Sequence, residues 1–331
     1  MLNGQIDNLR YYGFPQTQGN PTKYNQDIEL YFEQIIREVK PNIIHIFGTE
    51  YPHSFAMTKV CQKLGLLDKV LINIQGLVSV YSNHYYASLP NKIINSYSFR
   101  DFVRHDNIKG QANKFKIRGE FEIKALEQTK HVIGRTDWDR ACIEKININA
   151  KYHFCNETLR DEFYKHTWSL SGCEKHSIFI SQCSYPIKGF HCVLEAMPYV
   201  LKRFPNTKIY TTGKNPLKLS GLDKLKKTYY EKYIGKLIVK YHLEDAVIFL
   251  GNLNEQQMCE RYLLSNIFVS ASSIENSPNS VGEAMLLGVP TISSDVGGVK
   301  NMLTHGKEGF IYPFNEFYTL AYYICKIFSE D

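Results

Sequence analysis

The sequence has no apolar run near the ~18–20 residues that a membrane-spanning helix needs, and no charged-then-apolar start of the kind a secretory signal carries. On those grounds the expected location is the cytoplasm. Its eight cysteines include no C-x-x-C pair: Cys61, Cys142, Cys155, Cys173, Cys183, Cys192, Cys259 and Cys325 are scattered. That spacing argues against a zinc site or a disulfide framework and for reduced thiols, many of them buried. No G-x-G-x-x-G follows a strand, and G-x-x-x-x-G-K-[ST], H-E-x-x-H and G-x-S-x-G are all absent. Dinucleotide-fingerprint, Walker-loop, zincin and nucleophile-elbow chemistry are therefore not indicated. Arginine-rich arms and zinc knuckles are missing too, which sets nucleic acid aside as a partner.

What is present is an ordinary globular composition. Of 331 residues, 44% are hydrophobic and 22% charged, with a formal net charge of +6. This length suggests roughly two domains of about 100–200 residues each. Basic residues crowd two stretches, Lys92 to Lys124 and Lys202 to Lys240. Such a face suits an anionic ligand or an acidic lipid surface, and equally describes lysines solvating helix faces.

Residues 1–25 show little apolar periodicity and carry the turn formers Gly13, Pro15, Gly19, Asn20 and Pro21. A helical stripe then runs from Asp27 to Val39, broken at Pro41. The strand Ile43 to Phe47, a helix from His53 to Leu64 and the strand Val70 to Ile74 follow. After a long polar and aromatic segment, a helix from Arg118 to Gln128 precedes the strand His131 to Ile133. The alternation lapses between Cys155 and Lys175, then resumes: strand Ser177 to Ser181, helix Phe190 to Arg203, strand Lys208 to Thr212, a long basic helix Leu222 to Tyr241, strand Ala246 to Leu250, helix Glu255 to Ser265, strand Ile267 to Ala271, helix Ser280 to Leu287 and strand Val289 to Ser293. Short apolar strands alternating with amphipathic helices predict an α/β protein with parallel sheets, in two Rossmann-like domains, 1–165 and 166–331. Ligands bind beyond the carboxyl ends of such strands, so Gly48, Gln75-Gly76, Arg135, Ser181 to Lys188, Gly213 and Ser272 to Ser280 are expected to converge on a cleft.

The richest stretch is Ser273 to Gly298. A strand ends, a short loop follows, and a helix opens near Asn279-Ser280 with free backbone N–H groups suited to a phosphate. Glu275 stands at the loop mouth and Glu283 on the first turn. Locally, Ser280-x-x-Glu283 also fits a capping box, in which the glutamate would merely accept from the Ser280 amide.

Glu275 and Glu283 form an E-x7-E pair, followed by Gly288-Val-Pro290, Asp295-Val-Gly297-Gly298, Gly306 and Gly309-Phe-Ile-Tyr-Pro313. Together these resemble the retaining glycosyltransferases of family 4, the group 1 enzymes with the GT-B fold. The resemblance implies that Glu283 holds the nucleotide ribose and Glu275 lies near the donor sugar. Tyr185-Pro-Ile-Lys188-Gly189 matches the family's lysine-glycine, which implies that Lys188 neutralises the donor diphosphate. The family's preceding arginine is replaced by Gln182-Cys183-Ser184, leaving Arg135 and Lys214, beside Gly213, as candidate phosphate contacts.

The amino-terminal half departs further. Pro41 to Gly48 and Lys69 to Gly76 resemble two family strands, but Gln75 stands where histidine is common. Glutamine still donates a hydrogen bond but cannot titrate. Glu50 and His53 are candidate acceptor contacts. The resemblance spans about Asp27 to Phe328, with no counterpart of the family's first strand, glycine-rich loop or final crossing helix. The amino-terminal domain is thus expected to be incomplete. Asp137-Trp-Asp139 is expected to open a helix rather than bind metal.

The resemblance implies transfer of a sugar, with retention, from a UDP- or GDP-sugar to a sugar or lipid-linked glycan acceptor in surface-polysaccharide synthesis, with no cofactor and no metal. The segment Tyr81 to Lys124 is the candidate for peripheral contact with the inner face of a membrane. The rival expectations are an inactive remnant that binds nucleotide or a partner, and a GT-B nucleotide-sugar epimerase or phosphorylase.

Overall fold

The structure is a computed structural model that describes residues 2–14 and 22–330. Pro15, Gly19, Asn20 and Pro21 lie outside the described residues. The chain divides into two compact units: Met1–Asn83 with Ala112–Asn156, and His84–Gln111 with Glu157–Asp331. This differs from a single cut at residue 165, because an internal stretch of 28 residues, 84–111, joins the second unit.

The first unit opens with the antiparallel hairpin β1 (Leu2–Ile6) and β2 (Leu9–Gly13), where no element was expected. Leu2, Ile6 and Leu9 are all exposed, so no buried face imprints an apolar alternation on the sequence. Next come α1 (Asp27–Val39), β3 (Ile44–Phe47), α2 (His53–Lys63), β4 (Val70–Asn73) and α3 (Val78–His84). The long polar and aromatic segment, where no element was assigned, forms α4 (Asn91–Ile94) and α5 (Phe99–Arg104). It then leads into α6 (Ile108–Gln128), which starts ten residues before the expected Arg118. Elements of four to seven residues are too short to show a helical period, and Gly110 and Gly119 disguise the start of α6. Gly119 has a packing reason, since a Cβ there would lie 2.5 Å from the Ser79 Cα. The unit closes with β5 (His131–Gly134), α7 (Asp137–Ile146) and β6 (Lys151–Phe154). α7 opens as expected: Thr136 caps it and Asp139 returns the bond in a capping box.

The strands β3-β4-β5-β6 form one parallel sheet. Ile44, Ile46, Val70, Ile72 and Val132 are buried in a core with Phe32, Ile36, Val60, Leu126 and Ile143 from the helices. The opposite face, with Phe47 63% exposed, is open among the described residues. A hollow of about 380 Å³ lies there, lined by residues that include Leu71, His131, Ile133 and His153.

The second unit continues with β7 (Glu174–Ile180), α8 (Phe190–Leu201), β8 (Lys208–Thr211), α9 (Gly221–Leu225), α10 (Tyr229–Lys240) and β9 (Val247–Phe249). Then follow α11 (Glu255–Leu263), β10 (Ser265–Ser270), α12 (Asn279–Leu287), β11 (Thr291–Ser294), β12 (Gly309–Tyr312) and α13 (Phe317–Ser329). The long basic helix expected over 222–241 is in fact two helices. Thr228 caps α10 through a capping box with Glu231 and so ends the preceding turn. The six strands pair in parallel in the order β12-β11-β10-β7-β8-β9. All six residues of β10 are buried, as a strand covered on both faces requires.

Residues 84–111 are fastened to this unit by polar contacts. His191 on α8 bonds the Ala87 carbonyl through Nε2 (2.8 Å) and meets the Tyr230 hydroxyl at Nδ1 (3.1 Å). The Ser273 hydroxyl donates to the His84 carbonyl (2.9 Å), and the Tyr229 N–H donates to buried Asp101 (2.8 Å).

Candidate functional site: a carboxylate and ammonium cluster in the second unit

Three loops meet at the carboxyl ends of the adjacent strands β7, β10 and β11. The turn after β7 brings Gly189, at φ +66°, so close to the loop after β10 that a Cβ would lie 1.7 Å from the Ala271 carbonyl oxygen. Only glycine fits there, which gives the lysine-glycine pair a structural reason. One residue earlier, Lys188 places its ammonium 2.6 Å from Glu275 Oε1. The Ser272 hydroxyl donates to the same oxygen at 2.6 Å. Burial works to depress the Lys188 ammonium, but the negative charge of Glu275 and a lesser contribution from Tyr185 overcome it and raise its pKa.

The loop after β11 holds the far side of Glu275. Gly297, at φ +52°, leaves no space for a Cβ, which would meet the Glu275 carbonyl oxygen at 1.8 Å. Gly298 donates its N–H to that same carbonyl at 3.1 Å. The Glu275 backbone is therefore clamped on one side while its carboxylate is shared between Lys188 and Ser272.

α12 begins four residues after Glu275, with Asn279 and Ser280 as its first two residues. Such positions leave backbone N–H groups outside the helical ladder. Ser280 does not cap the helix: Pro278 holds the cap position, with no side-chain capping bond. Glu283 is buried and turns instead to Arg160, whose Nε and Nη2 donate to Oε1 and Oε2 at 2.7 and 2.8 Å. Donating these hydrogen bonds to Glu283 raises the Arg160 pKa further, against the opposing effect of its burial. Arg160 reaches this position because Phe163, fully buried three residues later, anchors the chain in the core with Tyr262, Phe268 and Val281. Its guanidinium lies 4.6 Å over the Phe163 ring. Sequence reasoning missed Arg160, since it falls in the polar stretch where periodicity lapses. The one local signal was the aromatic residue three positions on.

The sequence profile described as "Glycosyl transferases group 1" matches residues 162–331, more than half of the chain. The chain belongs to the group 1 glycosyltransferases. An uncharacterized glycosyltransferase of Methanocaldococcus jannaschii is 26% identical over 209 residues, 62% of this chain and 50% of its own length. The N-acetyl-alpha-D-glucosaminyl L-malate synthase of Bacillus anthracis is 33% identical over 169 residues, 50% of this chain and 40% of that protein. The chain thus spans half or less of these two curated relatives. Anabaena HepE, solved in complex with UDP and glucose, superposes with a TM-score of 0.63 at 14% identity, covering 89% of this chain and 70% of that one. The α/β architecture with parallel sheets is that of GT-B glycosyltransferases.

The other candidate residues of this group 1 glycosyltransferase fall into two sets. In the second unit, Gly213 follows β8 at φ +101° and bridges Gly251, while Lys214 is exposed and pairs with Asp223 at 3.3 Å. In the first unit, Gln75 donates to the Asn73 side chain (3.2 Å), and buried Arg135 donates to the Ile74 carbonyl (3.3 Å). Burial raises the pKa of Glu50, against backbone N–H groups, including those of Thr49 and Gly76, and the charge of Arg118. Burial lowers that of His53. A residue not foreseen there is Glu122, fully buried, which accepts from the Thr49 hydroxyl, the Val78 amide, and the Ser79 amide and hydroxyl.

Proposed function

We propose that the second unit binds the nucleoside diphosphate of a nucleotide sugar, and that the protein transfers the sugar with retention to a glycan or lipid-linked acceptor. The observation that carries this reading is the convergence of Lys188, Glu275 and the opening of α12 on the ends of adjacent parallel strands. Lys188 and the amides of Asn279 and Ser280 would stabilise the departing diphosphate, where charge grows in the transition state. Glu283, held by Arg160, would accept from the ribose hydroxyls, and Glu275 would face the donor sugar. No protein nucleophile is needed if the acceptor attacks from the side the diphosphate leaves. HepE, whose structure contains UDP and glucose, supports a uridine nucleotide as the first ligand to try.

The test is calorimetric titration with UDP, GDP, ADP and CMP, with Glu283→Ala alongside, followed by turnover of the matching donor. Binding of one nucleotide that weakens about ten- to a hundredfold in the variant supports the reading. A folded protein that binds none of them overturns it. The open face of the first unit's sheet favours a second reading, a nucleotide-binding protein without turnover. Binding with neither transfer nor donor hydrolysis would select it.

A further inference from the structure

One surface of the second unit is apolar and basic at once. α5 is six residues long, and its capping box ties Ser98 to Asp101. Asp101 is 1% exposed, and its Oδ2 also accepts the N–H of Tyr229, the first residue of α10. With Asp101 held inward, Phe99, Phe102 and Val103 point to solvent at 61, 67 and 60% exposure, beside Tyr97 at 54%. α9 ends four residues before Tyr229, within about 14 Å of chain. It exposes Leu222 and Leu225 at 74 and 51%. The contact between Tyr229 and Asp101 therefore keeps the two exposed apolar helices near one another.

The charge around them has one sign. Seven lysines stand between residues 218 and 240, against Asp223 and Glu231. Asp223 is taken up by Lys214 and Lys226, and Glu231 by the cap of α10. The Lys236 ammonium lies 5.6 Å over the Tyr229 ring, next to the junction with α5. On the α5 side Lys92, Arg104 and Lys109 are exposed, while Asp106 is engaged by Arg100 at 3.2 Å. Phenylalanine and leucine tips ringed by lysine and arginine are the chemistry of a helix lying in a bilayer interface. Tyrosine at the edge suits the headgroup level.

We propose that this surface docks on an anionic lipid bilayer. Phe99, Phe102, Leu222 and Leu225 enter the boundary between headgroups and acyl chains, and Lys92, Lys224 and Lys236 meet the headgroups. No described helix is long and apolar enough to cross a membrane, so the contact is peripheral. The proposal is independent of the glycosyl-transfer reading, because it concerns a surface built from α5, α9 and α10.

The experiment is flotation of the full chain with phosphatidylcholine vesicles, with and without phosphatidylglycerol. Binding should require phosphatidylglycerol and weaken as salt screens the lysines. The double variant Phe99→Ser/Phe102→Ser should bind about tenfold or more weakly, with its thermal unfolding and nucleotide affinity unchanged. Should that variant fail to fold, Lys224→Glu/Lys226→Glu provides the second test and should lose the preference for anionic lipid. Absence of binding to phosphatidylglycerol vesicles, or binding indifferent to the folded variants, overturns the proposal. So does concentration-dependent self-association that the phenylalanine variant abolishes in a chain that ignores vesicles.

Discussion

Arg160 and Glu283 form a two-point ion pair across 123 residues of chain, with both carboxylate oxygens taken by one guanidinium. An ionised carboxylate has about four lone-pair positions, so the pair leaves roughly two for other donors. On the proposed reading, two neighbouring ribose hydroxyls would donate to those positions. Arg160→Lys keeps the charge but loses the planar fork that sets the carboxylate's orientation. It should weaken ribonucleoside diphosphate binding by about tenfold and leave the 2′-deoxy counterpart nearly unaffected. Calorimetry with both ligands checks this, and equal losses would mean that Arg160 only supports the fold.

The same pair makes a prediction about stability. Arg160→Gln strands a buried carboxylate and should destabilise the second unit by about 1–3 kcal/mol, a range that allows for the partly exposed arginine. Adding Glu283→Gln should restore most of the denaturation midpoint while leaving nucleotide affinity low. A double variant no more stable than Arg160→Gln would assign the loss to Arg160 packing on Phe163 instead.

Gly189→Ala should be among the most damaging single-methyl changes in the chain. It combines left-handed backbone with a Cβ 1.7 Å from the Ala271 oxygen, and a cost above about 3 kcal/mol is expected. Gly288 is also left-handed, at φ +84°, but has nothing within 4 Å of the added carbon. Gly288→Ala should therefore cost only about 1–2 kcal/mol. Urea unfolding of the two variants measures the difference.

His191 should make the second unit sensitive to acid. Burial lowers its pKa from 6.5 to about 4, so the imidazole is neutral when folded and donates to the Ala87 carbonyl. Unfolded, it takes up a proton near 6.5. Stability from this group is complete above that pH and falls by about 1.4 kcal/mol per unit between 6.5 and 4. His191→Gln should flatten the slope of the unfolding midpoint over that window.

Glu122 should act in the opposite direction in the first unit. Burial pushes its carboxyl up to about 7, despite the bonds from Ser79, Thr49 and Val78 that favour the ionised form. As pH rises from about 4.5 to 7, the unfolded chain ionises first and stability falls. Glu122→Gln should remove that loss, so its advantage over the parent should grow towards pH 7 in thermal unfolding.

Much of the second unit could be read from its sequence because burial and backbone geometry leave marks there. Its strands appear as apolar runs, and Gly189 and Gly297 are glycines because carbonyl oxygens crowd them. Spacing alone could not tell whether Glu283 capped α12 or faced a ligand, because the capping box and the E-x7-E pair share residues. In the structure Glu283 does not cap α12 but pairs with Arg160, and that contact spans 123 positions with no local period to report it. α4 and α5 escaped notice for another reason. They are short, and α5 turns Phe99 and Phe102 outward, which inverts the usual correspondence between apolar residues and the interior.

The second unit is assembled from two separated stretches of chain, and that has a consequence during synthesis. Residues 84–111 leave the ribosome well before Ser273, which bonds the His84 carbonyl and follows it by 189 residues. At about 5–20 residues per second that interval is roughly 10–40 s. Residues 112–156 emerge within it, so the first unit can complete its sheet while α4 and α5 wait without their partner. Tyr85, Leu89, Ile93 and Ile94, all buried in the finished fold, and the left-handed turn at Ala87-Ser88 are then open to chaperones. Closure of the second unit around this stretch therefore waits until the chain has been made past β10.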